Sequence, residues 1–470
     1  MNFKRFPQWA KDSVFYQIFP DRFHYAEGRT SRDHVNLKWN DNPDHFSFMG
    51  GNLDGIREKL DYIADLGVNA VWLNPILEAP SNHKYDTEDY ANVSRHFGGN
   101  KSLKRLVKEA HRKDIRVILD AVCGHCSTRH KFFQDLLQKQ KESKYFKWFQ
   151  VRTLPVKIER RSGFNHTYEC WHGHPGLPRF DTYNPDVQQY LSKTYERWLT
   201  EFDLDGFRLD AIETISMPFW EKFYNTMKKA KPDCLLLGEL WTRDYRFIDP
   251  PRLDTLTDFP LLHLLVETLG TGKVSAEEFA VKLNIHREQL PVTHVDSMYN
   301  FLSNHDIMRV GSRPGISGKR LRLLYAFLLT YTGIPGIYYG DEIGMKGGNP
   351  PASRNAMIWE EEKWDAGLKS FIKELIHLRK KTDDLTQGKF EWIYADRESN
   401  IFVFSRGSGN ERTATAVNLH GRRSEFELRS LLKNKGWEIV KTLLTDNHKA
   451  GKAIFLKGQT AGLYSIRRIR

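Results

Sequence analysis

Short apolar runs rich in branched and aromatic residues alternate along most of the chain with stretches of helical spacing. Residues 13–19 read as a strand. Residues 53–66 place Ile56, Leu60, Ile63 and Leu66 on one helical face, and residues 70–73 read as a strand again. Residues 103–111 and 116–122, 187–202 and 206–209, and 218–229 and 234–238 repeat the order helix, then strand. Residues 301–303 and 336–339 add two strands. Strands that alternate with helices predict a parallel sheet with crossover helices. About eight such units over roughly 380 residues predict an α/β fold, a (β/α)8 TIM barrel.

Two stretches depart from this rhythm. Residues 123–185 separate the third strand from the next helix, far more than the usual ~2–6 residues of a βα connection. They are rich in Trp, His, Arg and Gly, and they predict an inserted subdomain over the barrel mouth. From residue 385 onward, residues 400–405, 413–419, 437–443 and 453–456 read as short strands without intervening helices. That predicts a C-terminal antiparallel β domain. The expected organisation is a barrel over 1–384, an insert at 123–185 and a β domain over 385–470.

Composition changes this picture little. The 470 residues carry 71 Lys and Arg against 59 Asp and Glu, a formal charge of +12. The basic residues fall in separate runs, at 139–147, 228–231, 379–381 and 467–470, with no nucleic-acid motif among them. They read as solvated helix faces, so no nucleic-acid partner is expected. Cys123 and Cys126 form a C-x-x-C, but no second pair follows at zinc spacing, so these and Cys170 and Cys234 read as plain thiols. The amino terminus has no apolar signal core. The most apolar stretch, 321–339, is broken at 333–336 and reads as a buried helix, a turn and a buried strand. A cytoplasmic protein with no membrane partner is expected. Twelve Trp favour a ligand that stacks on flat rings, such as a sugar.

Acidic residues recur where barrel enzymes keep their chemistry, at the carboxyl ends of strands. Asp120 ends Val117-Ile118-Leu119, and Asp210 ends Gly206-Phe207-Arg208-Leu209. Glu239 follows Leu235-Leu236-Leu237-Gly238, and Asp306 follows Leu302-Ser303-Asn304-His305. One strand-end Asp is commonly a helix cap; four in one barrel are not explained that way.

On these motifs the chain resembles the α-amylase family of glycoside hydrolases over nearly its whole length. The motifs are Asp120-Ala121-Val122-Cys123-Gly124-His125, Gly206-Phe207-Arg208-Leu209-Asp210, Gly238-Glu239-Leu240-Trp241 and Ser303-Asn304-His305-Asp306. The segments 81–90 and Tyr168-Glu169-Cys170-Trp171 are similar to the neopullulanase and cyclomaltodextrinase branch. Members of that branch usually carry an extra N-terminal β domain; this chain begins at the first barrel strand, so none is expected. The resemblance implies Asp210 as nucleophile, Glu239 as general acid/base and Asp306 as a third acid that holds sugar hydroxyls. Retention needs two carboxyls about 5–5.5 Å apart. Arg208, two residues before Asp210 on the same face, is expected to keep it ionised. Glu239 needs a raised pKa, as like charges and desolvation supply. The resemblance also implies Tyr85 as a stacking platform and His125 and His305 as donors to the sugar, with Trp241 and Arg354 as subsite residues. Trp171 is a candidate to stack on a more distant sugar.

Three positions depart from the family. Gly124 stands where Asn is usual, the segment after Asp210 reads Ala211-Ile212-Glu213-Thr214, and Pro350 replaces an Asp. The expected activity is hydrolysis of α-1,4 and/or α-1,6 glucosidic bonds in maltooligosaccharides or cyclic glucans, so the expected partner is an α-glucan oligosaccharide. A glucanotransferase or α-glucosidase on the same scaffold is the alternative. A non-catalytic sugar-binding or chaperone barrel would have lost a carboxylate, and all three remain. No cofactor is expected. Many relatives hold calcium beside the insert, where the missing Asn is a ligand, and branch members often hold another in the loop after the first strand. Here Gly124 offers only a carbonyl, and residues 21–30 carry two acids, so calcium is not expected. Oligomeric state is left open.

Overall fold

The computed structural model describes residues 6–28, 30–158, 163, 165–249, 252–421, 426–445, 448–450 and 453–469. Eight parallel strands build the barrel: β1 (Phe15–Ile18), β2 (Ala70–Leu73), β3 (Arg116–Ala121), β4 (Gly206–Leu209), β5 (Leu235–Gly238), β6 (Thr255–Leu256), β7 (Tyr299–Phe301) and β8 (Ile334–Tyr338). They run in the order β6-β5-β4-β3-β2-β1-β8-β7, and a parallel bridge from Thr257 to Tyr299 joins the two ends. β1, β2, β4, β5, β7 and β8 are buried at every position. Helices cover the outside and side chains fill the inside, which is why these strands read as largely apolar runs.

Close approach dictates two glycines. A Cβ on Gly206, where φ is +152°, would lie 2.1 Å from the Leu235 carbonyl oxygen. A Cβ on Gly336 would lie 2.0 Å from the Tyr299 hydroxyl oxygen. The space it leaves admits the Tyr299 ring, which meets Phe15 and Trp72 edge-on beneath the barrel mouth.

The expected barrel is present, with local differences. The first helix breaks at Lys59 into Leu53–Glu58 and Leu60–Leu66. The strand expected at 301–303 lies two residues earlier, and Leu302 and Ser303 already belong to the loop above it. β6 was not expected at all, because Asp254-Thr255-Leu256-Thr257-Asp258 reads as a polar loop. Its polar side chains are consumed internally: Asp254 Oδ2 accepts from Leu236 N at 2.8 Å and from Lys228 Nζ at 2.7 Å, and Thr255 donates to the Ser297 carbonyl. Lys228 and Arg379 also correct the reading of the basic runs as solvated faces. Both are buried, and Arg379 donates to the carbonyls of Leu329, Tyr331 and Gly333.

Among its described residues, the stretch after β3 holds one helix of more than a turn, Lys131–Lys139, and isolated bridges such as Phe149 to Phe180 and His125 to Arg179. Beyond the last barrel helix (Ala366–Lys381) five antiparallel strands form a sheet: β9 (Phe390–Asp396), β10 (Ile401–Arg406), β11 (Glu411–Asn418), β12 (Trp437–Thr445) and β13 (Thr460–Arg468), in the order β9-β10-β11-β13-β12. A helix, Leu428–Asn434, interrupts this all-strand region, against expectation. Phe402 and Phe404 of β10 pack on Phe279 and Phe327 of the barrel helices.

Candidate active site

Parallel register brings the strand-end side chains together. Asp120 on β3 is the direct neighbour of Arg208 on β4, and Arg208 Nη1 reaches Asp120 Oδ1 at 2.6 Å. The same Nη1 lies 2.9 Å from Asp210 Oδ1, and Nη2 lies 2.7 Å from Glu239 Oε2. One buried guanidinium thus serves three carboxylates from three adjacent strands. Its plane lies over Trp72, 5.3 Å from the ring centroid. After Asp210 the chain turns through a left-handed residue, Ala211 at φ +42°, a conformation that costs roughly 1–2 kcal/mol without glycine. The Ala211 N–H donates to Glu239 Oε2 at 2.9 Å. Trp241 Nε1 donates to Glu239 Oε1 at 3.2 Å, while its ring stacks on Phe259 at 3.9 Å and stays 42% exposed.

Tyr85 and His305 form the facing wall. Their rings are parallel, 5.5 Å apart. The Tyr85 hydroxyl donates to Asp120 Oδ2 at 2.8 Å and lies 2.6 Å from His305 Nε2. Gln17 Nε2 donates to His305 Nδ1 at 2.9 Å, so the proton of the neutral ring sits on Nε2. Nε2 also lies 3.1 Å from Asp306 Oδ2. Arg354 closes this side, with Nε on the His305 carbonyl at 2.8 Å and Nη2 on Asp306 Oδ1 at 3.1 Å. His125 stands apart from the carboxylates: Nε2 donates to the Tyr85 carbonyl at 3.1 Å, and the ring meets the half-buried Trp171 at 5.8 Å. Of the expected site residues, Asp210, Glu239, Asp306, Tyr85, Arg208, Trp241, His305 and Arg354 form one connected network. His125 joins it through the backbone of Tyr85.

Gln17, Asn74 and His83 were missed. Asn74 donates to Asp120 Oδ2 at 3.2 Å and accepts from Gln17. His83 Nδ1 accepts the Tyr85 N–H at 3.1 Å. Gln17 is a lone polar residue inside an apolar strand, a signal that was available.

Burial lifts Asp120 to about 6 against the pull of Arg208. The recessed setting of Asp306 lifts it to about 6, with Glu239 adding to the rise and Arg354 opposing it. Asp210 is also raised by burial, with the Arg208 guanidinium pulling it down and Glu239, Asp120 and Asp306 adding to the rise. Burial holds His125 at about 4 and His83 at about 3, both neutral. His305 is pushed well below the usual range for the same reason, helped by Arg354 and Arg208.

The residues beside the insert do not fit a divalent cation. The Gly124 carbonyl accepts the Phe180 N–H at 3.0 Å, and the Arg179 guanidinium donates to the Thr214 carbonyl beside it. A Cβ on Gly124 would meet Thr214 Oγ1 at 3.1 Å. In the loop after β1, both Asp21 oxygens accept backbone N–H groups, from Met49 and Gly50, and Arg22 Nε lies 3.1 Å away. Among the described residues no group of three or more His, Cys, Asp or Glu is arranged to hold a metal. No helix among them is long and apolar enough to cross a membrane.

Residues 17–399 match the family model described as alpha amylase, catalytic domain. The chain is 38% identical over 447 residues to the cyclomaltodextrinase of Geobacillus thermopakistaniensis strain MAS1, covering 95% of itself and 75% of that protein. It is 38% identical over 403 residues to the intracellular maltogenic amylase of Bacillus subtilis strain 168, covering 85% and 67%. Its fold is similar to that of the cyclic α-maltosyl-(1→6)-maltose hydrolase of Arthrobacter globiformis, with a TM-score of 0.88 at 29% identity over 98% and 99% of the two chains.

Proposed function

Because the chain belongs to the α-amylase family of glycoside hydrolases, we propose that it is a retaining hydrolase of α-1,4 and α-1,6 glucosidic bonds in maltooligosaccharides and cyclic glucans. Asp210 is the nucleophile, Glu239 the general acid/base and Asp306 the third acid. The observation that carries this reading is the single Arg208 fork, which holds Asp210 and Glu239 side by side at 2.9 and 2.7 Å. Retention needs the closer of the two carboxylate spacings.

The chemistry runs on named atoms. Asp210 Oδ1 is committed to Arg208, and among the described residues Oδ2 meets no donor. Oδ2 attacks the anomeric carbon as the glycosidic C–O bond breaks. Glu239 Oε2 is committed to Arg208 and Ala211, so Oε1, beside the Trp241 indole, hands the proton to the leaving oxygen. In the second half Glu239 takes a proton from water, whose oxygen displaces Asp210 from the anomeric carbon. Asp306, oriented by Arg354, and His305, with its proton on Nε2, hold hydroxyls of the sugar that Tyr85 supports. Trp241 offers its exposed ring to the leaving sugar. The same exposed ring favours a second reading, transfer to a sugar acceptor.

The relatives named above are described as acting on cyclic maltodextrins or maltose-containing rings, or as intracellular. They support this substrate class and a cytoplasmic setting. Product analysis on maltotriose, β-cyclodextrin, pullulan and starch tests the reading. Maltose and glucose from the first two support it, and no cleavage of any of the four overturns it. Longer products from maltotriose favour the transfer reading.

A further inference from the structure

We propose that Phe46 is an aromatic platform for a glucose unit beyond Asp306, on the side of the cleft opposite Trp241. The proposal rests on the α-glucan reading above. The loop after β1 runs to Asn52, well beyond the usual ~2–6 residues. In the barrel β1 lies between β2 and β8, so this loop sits between those that carry Tyr85 and Arg354. It is tied to both. Asn82 Nδ2 donates to the carbonyls of His45 and Ser47 at 3.1 and 2.8 Å. Trp39 Nε1 donates to the Met357 carbonyl at 2.9 Å.

Singly exposed apolar side chains are ordinary. Phe46 differs in that its backbone is clamped on all sides. Its N–H donates to Asp44 Oδ1 at 2.8 Å, and its carbonyl accepts from Asn36 Nδ2 at 3.1 Å. Ser47 Oγ donates to the same Asp44 oxygen at 2.6 Å, and the Asp44 N–H returns to Ser47 Oγ at 2.8 Å. The ring nevertheless remains 81% exposed. With the backbone fixed, only the side-chain torsions of Phe46 remain to be ordered on binding, and the ring suits the apolar C–H face of a pyranose while leaving the hydroxyl rim in water.

Barrel order gives the direction. β1 and β5 stand four places apart in a ring of eight, so the loops that carry Phe46 and Trp241 rise from opposite sides of the barrel. The leaving sugar passes to the Glu239 and Trp241 side. A chain extended the other way, past Asp306 and Arg354, comes under the β1 loop.

The test compares kcat/KM on maltose and on maltohexaose for the wild type, Phe46→Ala and Phe46→Trp. The ratio of maltohexaose to maltose falls about tenfold in Phe46→Ala, the scale of a lost aromatic anchor, and returns in Phe46→Trp. Maltohexaose binding to Asp210→Asn weakens by a similar factor when Phe46→Ala is added. An unchanged ratio and unchanged affinity overturn the proposal. A wild type that cleaves neither sugar overturns the α-glucan reading itself, which is a different result.

Discussion

Arg208 Nη2 lies 2.7 Å from Glu239 Oε2, and the same guanidinium holds Asp210 and Asp120 through Nη1. The ammonium of lysine is a point charge and cannot reproduce this planar fork. Arg208→Lys is therefore expected to lower kcat by about 10²–10³-fold, the scale of one lost electrostatic contact in a site, while circular dichroism still reports the fold. Turnover near that of the wild type would contradict the shared-cation geometry.

Asp306 has a pKa raised to about 6 from an ordinary 3.8. Between those values the native chain holds a proton that the unfolded chain has released. The stabilising contribution of that proton is complete below the unfolded pKa and is lost as pH rises through about 6. Asp306→Asn keeps an acceptor for Arg354 and removes the charge. Its melting temperature is expected to exceed that of the wild type at pH 7–8, with the gain shrinking as pH falls toward 4. Thermal melts across that range check this; a gain that grows on acidification would contradict it.

The barrel was legible because most of the buried parallel strands are short, largely apolar runs, and those at 206–210 and 235–239 lead directly into an acid of the site. β6 was not legible, because two residues among Asp and Thr become a strand only through partners on β5 and near β7. The three carboxylates could be named from motifs. That Arg208 serves all of Asp120, Asp210 and Glu239 could not, since it depends on the register of β3, β4 and β5. The groups that act against Arg208 at Asp210 were not legible for the same reason. Arg208 was visible two residues from Asp210, while the burial and the three other acids that outweigh it come from distant segments.

Dialysis against a strong chelator is expected to leave activity and melting temperature unchanged, since Gly124 and Asp21 spend their oxygens on backbone N–H groups. Loss of either property that calcium restores would contradict this.

Trp241 is held by Phe259 on one face and tethered to Glu239. Trp241→Ala is expected to raise KM for maltotriose by about tenfold, and Trp241→Phe by less, because the phenyl ring keeps a stacking face. Steady-state kinetics on both variants decide. Equal KM values in all three proteins would remove Trp241 from the sugar-binding surface.

The central claim is that Asp210 forms the bond to the sugar. A fluorinated α-glucosyl fluoride that forms the glycosyl-enzyme but turns over slowly traps that bond, and peptide mass spectrometry locates it. The account predicts one hexosyl adduct on the peptide that contains Asp210, absent from Asp210→Asn. An adduct on Asp120 or Asp306 instead would contradict it.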